Sequence, residues 1–431
     1  MPIRSLVALC LGGLILLTSD PVRAQAPSTG FGLGAIKVPG AEKQKTGKGL
    51  SFGRSIFHAG LSVEAGWDSN VFYSDSDAVT SSAYLRLLPQ LTLGSRPVAA
   101  GKRQGFAYNL ALGVDYIGYL QELPGESNAH HVGASLGADL KFNPKGLVSF
   151  DLVEQFVRTN EPRVGLEGSA DRDYNQAGFD LIFNKGLLAF LIGYRFIIDI
   201  FEDSEYSFAN RMIHQAKFKA TWRFFPQTSF WFQAETGFVD YFEDYAGVGS
   251  NSDSVPLRLW LGATGRLTNW LTADIALGYG YAYYKDTQPA GEYHNFIANA
   301  GFGIRLGSAA KLSLGYRRDF RDALVGDYFK SDSAYARLSV AIVQRLILQA
   351  MFAWTRADYQ NYNLDGTVYP RVDNYLSASV GADYYFLSWL SAGVGYNLQA
   401  NVAITDAIGS GVPVEPNFMK HRVYGRVSAY Y

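Results

Sequence analysis

The chain has 431 residues, with 38 Lys and Arg against 39 Asp and Glu, a formal net charge of −1, 28 Tyr, 28 Phe, 45 Gly and one cysteine. Charge this balanced argues against a nucleic-acid surface, which needs a basic excess, and a lone cysteine excludes a disulfide framework or a cysteine metal site. Past the first residues, no apolar run approaches the roughly 20 residues that a membrane-crossing helix needs.

The front of the chain reads as a secretion signal. Arg4 supplies the positive charge, residues 6–17 the apolar core, and Ala24-Gln25-Ala26 a small-x-small cleavage site. Residues 1–26 are therefore expected to be a signal peptide, with Cys10 inside its core. Residues 27–55 carry Lys37, Lys43, Lys45 and Lys48 among many glycines with little patterning, and are expected to be a flexible periplasmic lead-in.

Strict alternation starts at Phe57. Phe57, Ala59, Leu61, Val63, Ala65 and Trp67 share one face, with His58, Ser62, Glu64 and Asp68 on the other. In the next strand Leu85, Leu87, Pro89, Leu91 and Leu93 oppose Tyr84, Arg86, Gln90 and Thr92; Pro89 cannot donate to a ladder, so a bulge or local break is expected there. Met212, Ala216, Phe218, Ala220, Trp222 and Phe224 likewise oppose Gln215, Lys217, Lys219, Thr221 and Arg223. Leu390, Ala392, Val394, Tyr396 and Leu398 oppose Ser391, Gly393, Gly395, Asn397 and Gln399.

Tight turns recur about every 40 residues, at Asn143-Pro144-Lys145-Gly146, Asn184-Lys185-Gly186, Pro226-Gln227, Thr268-Asn269-Trp270, Gly307-Ser308-Ala309, around Arg345 and at Leu387-Ser388-Trp389. Longer polar stretches separate them, at 161–172, 202–210, 243–254, 286–292, 361–373 and 403–417. Short turns at one end and long loops at the other, with aromatics at strand ends (Phe224, Phe225, Trp270, Tyr384, Phe386, Trp389), define the fold class. It is all-β: residues 56–431 are expected to form a transmembrane antiparallel up-and-down β-barrel of about 18 strands, or 16 if one hairpin slips. The tyrosines Tyr279, Tyr281, Tyr283 and Tyr284 read either as part of the girdle or as a sugar-stacking slide.

The chain ends on an alternating strand in which Val423, Gly425, Val427, Ala429 and Tyr431 oppose Tyr424, Arg426, Ser428 and Tyr430. This strand is expected to pair with the one from Phe57 to close the cylinder. Val423, Val427 and Tyr431 resemble the aromatic-ended signal that the barrel-assembly machinery of Gram-negative outer membranes recognises. That machinery and outer-membrane lipid are the expected partners.

With this register, Asp115, Asp139, Asp151, Asp180 and Asp199 face the lumen on the third to seventh strands, and Arg258, Arg266, Arg305, Arg317, Arg321 and Arg337 on the tenth to fourteenth. Facing walls of opposite sign would set a transverse field across a wet pore and orient polar solutes. The plainer reading is that these charges form ladders between neighbouring strands. No catalytic chemistry is expected: the histidines His58, His130, His131, His214, His294 and His421 are scattered, and no His-Glu-x-x-His occurs. No cofactor or metal is expected either, since the loop acids lack EF-hand spacing.

Trp67-Asp68-Ser69-Asn70-Val71-Phe72, and then Leu85-Arg86-Leu87-Leu88-Pro89-Gln90-Leu91-Thr92-Leu93, resemble the putative beta-barrel porin 2 family, whose members carry a D-x-N-hydrophobic-aromatic motif ending the first strand and a P-x-L-x-L strand after it. The resemblance implies an outer-membrane channel for polar solutes. It also implies a polysaccharide-secretion role beside polysaccharide-export proteins. The competing expectation is a non-conducting scaffold barrel that anchors an envelope complex.

Overall fold

A computed structural model describes residues 49–75, 79–96, 104–121, 130–159, 171–242, 252–285, 292–323, 326–343, 345–360, 363–364, 367–368, 370–405 and 417–431. The expected signal peptide and lead-in up to residue 48 lie outside the described residues, as does much of the long loops.

Eighteen strands form the wall. They are β1 (Ser55–Asp68), β2 (Ser82–Ser95), β3 (Phe106–Tyr119), β4 (His131–Phe142), β5 (Val148–Thr159) and β6 (Arg172–Lys185). Next come β7 (Leu188–Phe201), β8 (Arg211–Phe225), β9 (Thr228–Tyr241), β10 (Ser254–Arg266), β11 (Leu271–Tyr284) and β12 (Glu292–Leu306). The last are β13 (Ala310–Asp322), β14 (Tyr328–Val343), β15 (Leu346–Gln360), β16 (Arg371–Tyr385), β17 (Leu390–Thr405) and β18 (Phe418–Tyr430). Each pairs antiparallel with its neighbours in sequence, and β18 pairs with β1 from Gly60↔Tyr430 to Asp68↔Arg422. Closure removes the free edges of an open sheet, which is what the hydrocarbon of a membrane demands.

The alternation has the expected physical outcome. Leu61, Val63, Trp67, Leu261, Leu277, Val394, Val423 and Val427 are exposed on the outside, while His58, Ser62, Glu64, Asp68, Gln233, Glu235 and Lys420 are buried inside. Such an inverted pattern, apolar out and polar in, suits a wall that meets lipid. At the short-turn end, Phe224, Phe225, Trp270, Phe386 and Trp389 lie exposed on the outer rim, as an interfacial girdle should. Those turns rest on left-handed residues: Gly186 at φ 60° and Gly307 at φ 70°, where a Cβ would be strained, and Asn143 at φ 51°.

Pro89 faces Leu61 on β1, but toward β3 the ladder stops at Leu87↔Tyr116 and resumes at Gln90↔Gly113. The register is the same on both sides, so proline makes a local break rather than a bulge. The lead-in also has more structure than its composition suggests: Leu50–Phe52 folds back as a ribbon on β1, with Leu50↔Phe57 and Phe52↔Ser55. On the long-loop end, Ser204–Ala209 form a 3-10 turn between β7 and β8, and Asn363–Leu364 pairs with Thr367–Val368.

The wall opens between β12 and β13, while β13 stays paired with β14 to Asp322↔Tyr328. The β12–β13 ladder ends at Ala298↔Arg318, and the last residues of β13 lean into the lumen. Arg258 on β10 donates from Nε to Asp319 at 2.9 Å. Three strand spacings separate β10 from β13 along the wall, about 14 Å, so the contact requires the end of β13 to turn inward. Tyr241 Oη on β9 donates to the Ala323 carbonyl at 3.0 Å, and Ser252 Oγ to Asp327 at 3.3 Å. Phe320, fully buried, stacks on Tyr293 with ring centroids 4.0 Å apart. The inner face of β11 makes the room, because it is built from Ala276, Gly278, Gly280 and Ala282. A Cβ on Gly280 would stand 2.7 Å from the Phe320 ring.

Candidate functional site

The site is the inner wall, and cross-strand pairing decides its charge. Residues directly opposite in an antiparallel ladder face the same side. Asp115 stands on the lumenal face of β3 and accepts from Arg86 Nε on β2 at 2.6 Å. Lys141 on β4 lies 3.4 Å from Asp139 and 3.2 Å from Asp151 on β5. Arg195 on β7 bonds Asp180 on β6 at 2.7 Å. Asp199 on β7 is held between Arg172 at 2.5 Å and Arg211 at 3.4 Å. All five acids on the β3–β7 arc thus have bases beside them.

The opposite arc differs. Arg258 and Arg317 share the single carboxylate of Asp319, at 2.9 and 2.6 Å. Arg266, Arg305, Arg321 and Arg337 face the lumen with no carboxylate partner among the described residues; Arg337 reaches only the Met351 sulfur, at 3.4 Å. Arg305 stands directly opposite Lys311, a like-charged cross-strand pair. Such pairs destabilise a sheet, which marks this end of the wall as one that tolerates cost. Lys219 lies over the Trp231 ring at 4.2 Å, adding a further cation to the lumen.

The field therefore differs from two opposed walls of opposite sign. The acidic arc is compensated within itself by Arg86, Lys141, Arg172, Arg195 and Arg211, and the excess that remains is basic, on β10–β14. Those five compensating bases also alternate inward. Their partners follow from the ladder register, which no single strand reveals. Of the girdle-or-slide tyrosines, Tyr279, Tyr281 and Tyr283 are on the outer face of β11 and belong with the girdle, while Tyr284 turns inward, buried, and donates to Asp322 at 3.1 Å.

The residues of the final strand occupy defined places. Val423, Val427 and Tyr431 are exposed on the outer surface, and the Tyr431 amide donates to the Ala59 carbonyl at 2.8 Å. His58 Nδ1 lies 3.1 Å from the Tyr431 carbonyl oxygen.

The model of the family described as "Putative beta-barrel porin 2" matches residues 46–410. No curated protein matches the chain in sequence. Among solved structures, the outer membrane protein opdK of Pseudomonas aeruginosa is 12% identical, with a TM-score of 0.45, covering 87% of this chain and 99% of that one. OccAB3 of Acinetobacter baumannii is 10% identical, with a TM-score of 0.45 over 87% of this chain and 99% of its own. OccK2 (OpdF) of Pseudomonas aeruginosa, solved in complex with glucuronate, is 12% identical, with a TM-score of 0.45 over 87% and 98%.

Proposed function

The chain belongs to the Putative beta-barrel porin 2 family and is an outer-membrane β-barrel of the porin type, and from that premise we propose that it is a passive channel for polar solutes that favours anions. The observation that carries the proposal is the imbalance of the wall: five compensated acids on one arc, and on the other four lumenal arginines without a carboxylate partner among the described residues. Uncompensated guanidinium groups in a wide aqueous lumen attract anions and repel cations over about a Debye length, roughly 8–10 Å at physiological salt. A structural ladder would have no use for Arg305 opposite Lys311; a counter-anion from solution relieves that repulsion. No step of chemistry is called for, and the role is conduction without catalysis.

Secretion of a polysaccharide is the narrower form of the same proposal. The outward placement of Tyr279, Tyr281 and Tyr283 takes these three rings away from the lumen, where they would have favoured a sugar polymer. Small anionic solutes fit the wall better. The purified protein, refolded and inserted in planar bilayers, is expected to give discrete conductance steps. A barrel that inserts with native heat-modifiability yet passes no current would instead support a scaffold role.

A further inference from the structure

We propose that the cleft between β8–β10 and the inturned end of β13 is a binding site for a small amphipathic carboxylate, anchored by Arg321; the proposal deepens, and rests on, the channel reading. The cleft is lined by Arg321, Arg258 and Arg211 on its charged side and by Ile213, Val239 and Pro256 on its apolar side. It has about 60 Å³ of space for the centres of water-sized molecules. One such molecule needs about 10–15 Å³ by that measure, so the cleft takes roughly four waters, or a carboxylate with its first carbons.

What singles out Arg321 is the state of its neighbours. Arg258 is committed to Asp319 and to the Phe320 carbonyl, at 2.9 and 2.6 Å. Arg211 is committed to Tyr241 and Asp199, at 3.0 and 3.4 Å. The two acids that also line the cleft are engaged as well. Glu235 accepts from Gln233 at 2.6 Å, and Asp322 accepts from Ser254 at 2.8 Å and Tyr284 at 3.1 Å. Arg321 makes no side-chain hydrogen bond or ion pair among the described residues, and its Nε is buried without an acceptor. An unmet buried guanidinium donor is costly, and a planar carboxylate that takes Nε and one terminal nitrogen together is the ligand whose geometry meets it. The apolar lining beside it would take the hydrocarbon part, which is how selective pockets are built: mostly apolar, with few polar groups.

Benzoate added to one side of a single channel in KCl is expected to interrupt the current briefly, with uncharged benzamide giving no resolved events. Arg321→Gln should shorten the mean benzoate dwell at least tenfold. Arg305→Gln, at the other end of the wall, should instead lower event frequency and leave the dwell within about twofold, because distant charge steers association while local contacts govern dissociation. Equal dwells in wild type and Arg321→Gln, or benzamide dwells as long as those of benzoate, would overturn the site while leaving conduction in KCl intact. Should the barrel pass no current, equilibrium dialysis of labelled benzoate against the detergent-solubilised protein decides the site independently: retention lost in Arg321→Gln supports it, and no retention by wild type refutes it.

Discussion

Asp68 accepts a hydrogen bond from Arg422 Nε at 2.7 Å, and with it the first strand is clasped to the last. The same carboxylate lies 3.0 Å from Lys420 Nζ and accepts from Tyr119 Oη at 3.2 Å. Asn70 completes the clasp: its amide donates to Asp68 at 3.0 Å, and its side chain donates to the Met419 carbonyl at 3.3 Å. The D-x-N motif of β1 therefore acts on the seam, at its long-loop end.

Removing one partner of a buried ion group leaves its counter-charges desolvated and unpaired. Asp68→Ala removes the carboxylate that Lys420 and Arg422 share, and is expected to destabilise the folded barrel by about 3–5 kcal/mol. The measurement is the urea concentration at which the heat-modifiable band is lost on a gel. Asp68→Ala should fall well below wild type, and Asp332→Ala, in a pair whose side chains are partly exposed, should not.

The inturned end of β13 depends on Phe320 lying against Gly280. Phe320→Ala is expected to cost about 3 kcal/mol, the usual range for a buried Phe, and to raise single-channel conductance as the segment loosens from the wall. Gly280→Val should do the same without removing an aromatic ring, since its side chain would claim the space the ring fills. Unchanged conductance in both variants would show that the segment does not narrow the path.

At the other end of the seam, the Tyr430 amide donates to the Trp389 carbonyl and the Tyr431 amide to Ala59, each at 2.8 Å. Deleting Tyr430 and Tyr431 removes both bonds and the exposed Tyr431 ring. Export across the inner membrane should proceed while assembly in the outer membrane fails, seen as protein recovered in the periplasm without a heat-modifiable form. Normal assembly after the deletion would argue against a signal at these residues.

Much of the fold was legible because two independent signals agreed on one register. Turn residues with left-handed backbone, Gly186 and Gly307 among them, set where hairpins begin, and alternation then dictates which side every following residue faces. That is why Asp180 and Arg305, on strands far apart, could be assigned to strands and to one side of them without coordinates. Ladders between neighbouring strands were one reading of the charges, but which base meets which acid was not legible. Whether Asp115 meets Arg86 depends on which residue of β2 stands across from it, and on the reach of a long side chain along the wall. The inward lean of β13 was harder still, since its contacts join strands three and four apart. The one trace of it in the sequence is the run of small inward residues on β11, Ala276 to Ala282, whose purpose appears only once Phe320 is seen against them.

The central claim is that the lumen carries an uncompensated basic wall which selects anions. The zero-current potential across a KCl gradient tests it most directly, in wild type and in a variant with Arg266, Arg305 and Arg337 all changed to Glu. These three have no carboxylate partner among the described residues, so the reversal breaks no ion pair. An anion-selective potential in wild type that changes sign in the variant is the predicted result; a cation-selective wild type, or a potential indifferent to the reversal, would contradict the account.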